Sequence, residues 1–108
     1  MKPALLRPQA LRDRESEVRY YRREAGSSVA VRLVKTTRDA LKQIESNPGI
    51  GSPVLGQALG IDGLKTWRVA RFPLVWCYFE RGEHVDVVRL LSGRQDLATI
   101  LGADFADG

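Results

Sequence analysis

Six consecutive apolar residues, Leu74-Val-Trp-Cys-Tyr-Phe79, form a stretch with no polar face to leave in water. The run is rich in β-branched and aromatic residues, and it has the length of a strand, far short of the about 20 residues a membrane helix needs. Apolar on both faces, it belongs at the centre of a sheet. Turn chemistry on either side supplies its neighbours. Arg71-Phe72-Pro73 makes a corner after a strand over Leu64–Ala70, and Arg81-Gly82 makes a tight hairpin in which Gly82 is able to supply a positive φ. The third strand, Glu83–Leu91, places Val85 and Val87 on one face and His84, Asp86 and Val88 on the other. Residues 64–91 therefore predict a three-stranded meander.

The first half of the chain carries helical periodicity. Ala4-Leu5-Leu6, closed by Arg7-Pro8, reads as a brief strand within residues 1–8. Gln9–Ala25 reads as a helix with a thin apolar face (Ala10, Leu11, Val18, Tyr21, Ala25) interrupted by Arg14 and Glu17, and Gly26 stops it. Ser27 or Ser28 is placed to cap a second helix, whose stripe of Ala30, Leu33, Val34, Thr37, Ala40, Leu41 and Ile44 is cleaner and ends at Asn47-Pro48-Gly49. So short a join makes residues 9–47 an antiparallel helix hairpin. Gly49 to about Gly63 reads as a loop, and Asp96 is placed to cap a short last helix over residues 96–101. The expected fold is α+β: a helix hairpin on one face of a small, mostly antiparallel sheet.

Little in the chain suits catalysis. One cysteine, Cys77, and one histidine, His84, allow neither an intrachain disulfide nor a metal site, and no cofactor is expected. Cys77 reads as core packing and His84 as a residue at the sheet rim. Gly49-Ile50-Gly51-Ser52-Pro53 lacks the lysine and the preceding strand of a phosphate loop. No carboxylate pair stands out as an acid–base couple, so no catalytic residue is expected. The 108 residues predict one domain, 1–108. Pro3–Leu6 is too short for a signal peptide, and a soluble cytoplasmic protein that grips another macromolecule is expected.

The charges suggest what is gripped. A net charge of +4 is spread over both helices and the strands, while residues 95–108 hold three Asp and no base. Such a surface suits an acidic partner, without the concentrated stripe of a sequence-specific DNA binder. Arg68, Arg71, Arg89 and Arg94 fall on the strands or at their ends. Neighbouring strands are expected to bring Arg68 and Arg89 together, in a fork geometry suited to phosphate or carboxylate. The plainer alternative is that these arginines are solvated charges paired with Glu80, Asp86 and Asp96. Trp67 and Trp76 are expected to anchor the core, or to present a ring to a partner.

The segment Leu59-Gly-Ile-Asp-Gly-Leu-Lys-Thr-Trp-Arg-Val-Ala-Arg-Phe-Pro-Leu-Val-Trp-Cys-Tyr-Phe-Glu-Arg-Gly-Glu-His-Val-Asp-Val-Val-Arg-Leu-Leu91, followed by Ser92-Gly-Arg94-Gln-Asp96-Leu, resembles the C-terminal half of a ParE toxin of the RelE/ParE superfamily. Tyr20-Tyr21 before Glu24-Ala25-Gly26, and Asn47-Pro48-Gly49-Ile50-Gly51-Ser52-Pro53, agree with the N-terminal half. The order of elements is that family's fold. Arg14 and Glu17 stand where relatives often carry aliphatics, which implies looser packing of the first helix or a different meeting with its partner.

The resemblance implies the toxin of a type II toxin–antitoxin pair, with DNA gyrase as target. The implied antitoxin is ParD-like, a ribbon-helix-helix DNA-binding segment with an acidic tail, forming a hetero-oligomer with the toxin. The RelE branch implies instead a ribosome-dependent mRNA endoribonuclease, often with a tyrosine near the C-terminus. Here no tyrosine or lysine follows Arg94 and the last tyrosine is Tyr78, which favours the gyrase branch. A third reading is a non-toxic module that only binds antitoxin. Arg68, Arg71, Arg89 and Arg94 are the expected target contacts. Arg19, Arg22 and Arg23 are the expected antitoxin contacts, a merely solvated face being the other reading.

Overall fold

In the computed structural model, which describes residues 1–105, the elements run β1 (Ala4–Leu6), α1 (Pro8–Ala25), α2 (Ser27–Ser46), a 3-10 turn (Pro48–Ile50), α3 (Val54–Leu59), β2 (Leu64–Arg68), β3 (Leu74–Glu80), β4 (Val85–Ser92) and α4 (Leu97–Asp104). The sheet has the order β1-β4-β3-β2. β2, β3 and β4 are antiparallel, and β1 lies parallel to β4 with Ala4 opposite Val85 and Leu6 opposite Val87. The apolar run is an interior strand, with Trp76, Cys77 and Tyr78 fully buried.

The helix hairpin covers one face. Proline in the first turn of α1 costs no hydrogen bond, because that N–H has no intrahelical partner. Gly26, at φ +92, joins the helices; it serves α2 as N-cap, so neither Ser27 nor Ser28 makes the expected side-chain cap. Ala30, Leu33, Thr37, Ala40, Leu41 and Ile44 are buried, and Trp76 Nε1 donates to the Thr37 carbonyl at 3.1 Å. Val34, expected in the same layer, is only half-buried and borders the outer groove of the hairpin.

A strand apolar on both faces requires cover on both, and the second cover comes from a segment expected to be a loop. Within residues 49–63, Val54–Leu59 forms α3, and its Leu55 and Leu59 pack with Ile61 against Leu64, Cys77, Phe79, Val88 and Leu91. Gly56 permits that approach, since a Cβ there would stand 2.6 Å from the Leu64 carbonyl oxygen. α4 completes the layer with buried Leu101, and Asp96 caps it by accepting from the Thr99 N–H at 3.1 Å. Tyr78 pins the connection after α2. Its hydroxyl donates to the Pro48 carbonyl at 2.8 Å and accepts from the Gly51 N–H at 2.9 Å.

Two local expectations change. The β3–β4 turn closes through an Arg81 N–H to His84 carbonyl bond of 2.9 Å, and Gly82 is not among the glycines at positive φ. In β4, Tyr78 opposes Val87 while Cys77 opposes Arg89, so Val88 is an extra, unpaired residue: a β-bulge that breaks the simple alternation.

Leu41→Ala should lower stability by about 2–5 kcal/mol, the usual cost of emptying a buried leucine site. Thermal unfolding followed by circular dichroism checks this, and an unchanged midpoint would contradict the packing.

Candidate functional site

β1 stops at Leu6, and the Arg7 N–H donates to the Val87 carbonyl at 2.9 Å as the last backbone bond along that edge. Beyond it β4 continues without a strand beside it. There Asp13 of α1 takes over: its Oδ2 accepts from the Leu90 N–H at 2.9 Å and from Arg89 Nε at 2.7 Å. Its Oδ1 accepts from Arg89 Nη2 at 3.0 Å and from Gln9 Nε2 at 2.9 Å. Arg89 Nη1 reaches on to Asp104 of α4 at 3.0 Å. The hydrogen bond with Asp13 is the main reason the Arg89 guanidinium sits above its ordinary pKa. Its side chain is 13% exposed.

Arg89 is therefore engaged inside the protein, and it does not meet Arg68. β3 lies between them, with Arg68 opposite Val75 and Arg89 opposite Cys77, so their strands are separated by about 10 Å before the offset in register is added. Nor do the arginines pair with the carboxylates expected of them. Asp86 binds Arg7 and Arg81 at 2.8 and 3.0 Å, and Glu80 binds Lys2 at 2.8 Å. Asp96 is taken up with the α4 cap.

Arg94 has an unforeseen partner as well. Its Nη2 donates to Glu17 Oε1 at 2.8 Å, and its guanidinium lies over the Tyr20 ring at 3.8 Å. Glu17 and Asp13, one turn apart on the inward face of α1, are both buried carboxylates held by arginines of the β4 region. The break in the apolar face of α1 is thus an ionic seam. Glu17 stands out in the sequence as an interruption of that face, whereas Asp13 does not. The signal for both was the match between two acids four apart on a helix and two arginines, Arg89 and Arg94, five apart near a strand end.

Arg68 and Arg71 remain. Both are exposed, and among the described residues neither has a carboxylate within ion-pair distance. They border an open concavity of about 520 Å³ walled by Trp67, Phe72, Val69 and Gln43. Trp67 Nε1 donates to Gln43 Oε1 at 2.8 Å, and the Arg68 guanidinium lies 6.0 Å from the Trp67 ring centre. Phe72 meets Tyr21 edge-on at 5.0 Å. Arg71 has φ +69, the one non-glycine residue at positive φ among those described. The corner imposes it, being closed by Val69 N–H to the Leu74 carbonyl and Leu74 N–H to the Phe72 carbonyl.

The outer face of the hairpin holds a second surface. Arg19 and Arg22 line a concavity of about 400 Å³ with Arg14, Glu15, Val18, Val34 and Arg38. It runs into a smaller one that shares Val18, Arg22 and Val34 and is bordered by Val31, which is 70% exposed. Burial first, and then the nearby charge of Arg38, holds Arg14 below its ordinary pKa. Arg23 does not line it; it pairs loosely with Glu24 and lies 5.8 Å from the Tyr20 ring centre.

Cys77 is shielded within β3. Burial pushes the Cys77 thiol up to about 12, so it stays protonated and unreactive at neutral pH. Among the described residues no group of His, Cys, Asp and Glu could hold a metal ion, and no helix is long and apolar enough to cross a membrane.

A helix hairpin over a four-stranded mixed sheet, with a basic groove outside the hairpin and an arginine–aromatic concavity at the β2–β3 corner, defines a small α+β protein. Residues 4–97 match the family described as the ParE toxin of the type II toxin–antitoxin system parDE, and the chain belongs to that family. Among solved structures, a chain of the chromosomal ParDE toxin–antitoxin system from P. aeruginosa is similar, with a TM-score of 0.72 at 19% identity over 85% of this chain and 96% of that one. At that identity the likeness is one of fold. No curated protein matches the sequence.

The ionic seam predicts a selective loss of stability. Asp13→Ala strands the Leu90 N–H and leaves Arg89 with Asp104 alone, and should cost about 3 kcal/mol; Asp13→Asn, which keeps an acceptor, should cost less. Urea unfolding checks the order.

Asp86 supplies a pH dependence. Hydrogen bonding from Arg7, then from Arg81, holds its carboxyl below the usual carboxylate range against the opposing effect of burial. Its folded value thus lies below its unfolded one. The stabilisation is complete above about pH 4 and is lost as pH falls through the folded value. Asp86→Asn should be less stable than wild type at neutral pH, with the difference shrinking as pH falls below about 4 in unfolding titrations.

Proposed function

We propose that this chain is a toxin that inhibits DNA gyrase by binding it, acts in the bacterial cytoplasm, and is neutralised by a cognate antitoxin with an acidic tail. The observation that carries the reading is the company Arg68 and Arg71 keep. Cleaving RNA through a 2′-hydroxyl needs one group to take that proton and another to protonate the leaving oxygen. Gln43, Trp67, Val69, Ala70 and Phe72, which share the concavity with these arginines, shuttle no protons at neutral pH, and arginine stays protonated. His84 lies past the far end of β3, about 20 Å along the strand from the β2–β3 corner. Such a surface can bind and stabilise charge, which favours a binding toxin over a ribonuclease of the RelE type.

The hairpin groove supports the antitoxin half of the reading. An amphipathic acidic segment would set apolar side chains on Val18, Val31 and Val34 and its carboxylates on Arg14, Arg19, Arg22 and Arg38. Arg19 and Arg22 line this groove and would meet such a segment, whereas Arg23 would touch it only if it continued around the end of α1. Long-range attraction of this kind speeds encounter more than it sets affinity.

The purified protein should inhibit gyrase supercoiling, or trap cleaved DNA on the enzyme, and leave ribosome-bound mRNA intact. Site-specific mRNA cuts with gyrase untouched would overturn this in favour of the ribonuclease. Activity on neither, together with normal growth of induced cells, would favour a module kept only for antitoxin binding.

A further inference from the structure

We propose that the concavity at the β2–β3 corner binds single-stranded DNA directly, taking an unstacked base between Trp67 and Phe72 and the adjoining phosphates on Arg68 and Arg71. The chemistry of this cleft is enough for such binding, whether or not gyrase is the protein's target.

Both rings are held before any ligand arrives. Gln43 fixes the Trp67 indole through its N–H, and the edge-on packing against Tyr21 fixes Phe72. Two guanidiniums without carboxylate partners among the described residues stand at the same opening. Fixed aromatic faces beside unpaired cations make a stacking platform with a grip on phosphate, and such sites are tolerant of sequence because every base has a π-face. A base paired within a duplex is stacked on its neighbours and cannot enter, so the unpaired strand is the form that fits.

The sheet edge argues against a peptide in the same place. β2 is an edge strand, the usual site where an extended peptide adds itself through backbone bonds. Here Thr66 already exchanges both its N–H and its carbonyl with Ser52, at 3.0 and 2.8 Å, so the middle of that edge is closed. With Thr66 taken, an added strand could not pair along the middle of β2, which favours a ligand held by the side chains of the corner.

Arg71 carries the strongest mark. Its left-handed conformation is one that glycine adopts at no steric cost and arginine adopts at a penalty, and strain of this kind collects at functional positions. The corner therefore holds a long cationic side chain where the backbone alone would favour glycine.

The test is a titration of the full chain with a fluorescein-labelled oligodeoxythymidylate at low salt, followed by anisotropy and by tryptophan emission. Trp76 is fully buried, so quenching on binding reports Trp67. Wild type should bind with quenching, and unlabelled duplex should compete poorly. Arg68→Gln and Arg71→Gly should each weaken binding roughly tenfold and flatten the dependence of log K on log salt by about 0.7 for each phosphate left without its arginine. Arg71→Gly should do so with a Tm no lower than wild type, which separates the missing guanidinium from a failure to fold. Absent binding would overturn the proposal, as would binding that neither variant changes and that leaves Trp67 unquenched. A glutamate-rich peptide that quenches Trp67 where the oligonucleotide does not would overturn it in favour of a protein ligand. Gyrase is absent from the titration, so its outcome is independent of the supercoiling assay.

Discussion

β1 is three residues long and β4 is eight, so most of one side of β4 has no strand to pair with. Asp13 takes the place of the missing strand. Its carboxylate receives the Leu90 N–H that a longer β1 would have received, and the same oxygens bind Arg89, which reaches across to α4. One helical side chain thereby fixes three elements from opposite ends of the sequence. The carboxylate suits this better than a neutral side chain: an amide offers one accepting oxygen in place of two and lacks the charge that strengthens a hydrogen bond from a guanidinium. Glu17 and Arg94 repeat the arrangement one turn further along α1.

How much of this was legible in the chain depends on the range of the interaction. The stripe of α2, the stop at Gly26, the Asp96 cap and the interior β3 strand are local patterns, and they appear in the structure where residue spacing put them. α3 was hidden because it is six residues long between Pro53 and Gly60 and carries a glycine of its own. The clue was indirect, since a strand apolar on both faces demands a second covering layer and residues 49–63 were available to supply it. The ionic seam joins residues 76 and 77 positions apart, and nothing in the neighbourhood of Asp13 announces its partner. The separation of Arg68 from Arg89 was more accessible, because two successive hairpins place β3 between their strands.

The candidate site is defined by subtraction. Arg68, Arg71, Arg89 and Arg94 look alike in sequence, all at or near strand ends. Where a carboxylate waits, as for Arg89 and Arg94, the guanidinium becomes part of the scaffold. Where none does, it faces solvent beside two fixed aromatic rings. Composition could not make that distinction, since the acids that decide it lie on α1 and α4 and not on the strands that carry the bases.

The hydroxyl of Tyr78 ties two distant positions into a single unit of variation. A Cβ at residue 51 would stand 2.5 Å from that hydroxyl, and the Gly51 N–H depends on the same oxygen. Phenylalanine at 78 alone strands a buried donor, and any larger residue at 51 alone collides with the ring. Each change is harmful in the background that preserves the other residue. As sequences of this fold drift apart, the tyrosine in the central strand and the glycine after the second helix should be kept together, although they lie 27 positions apart.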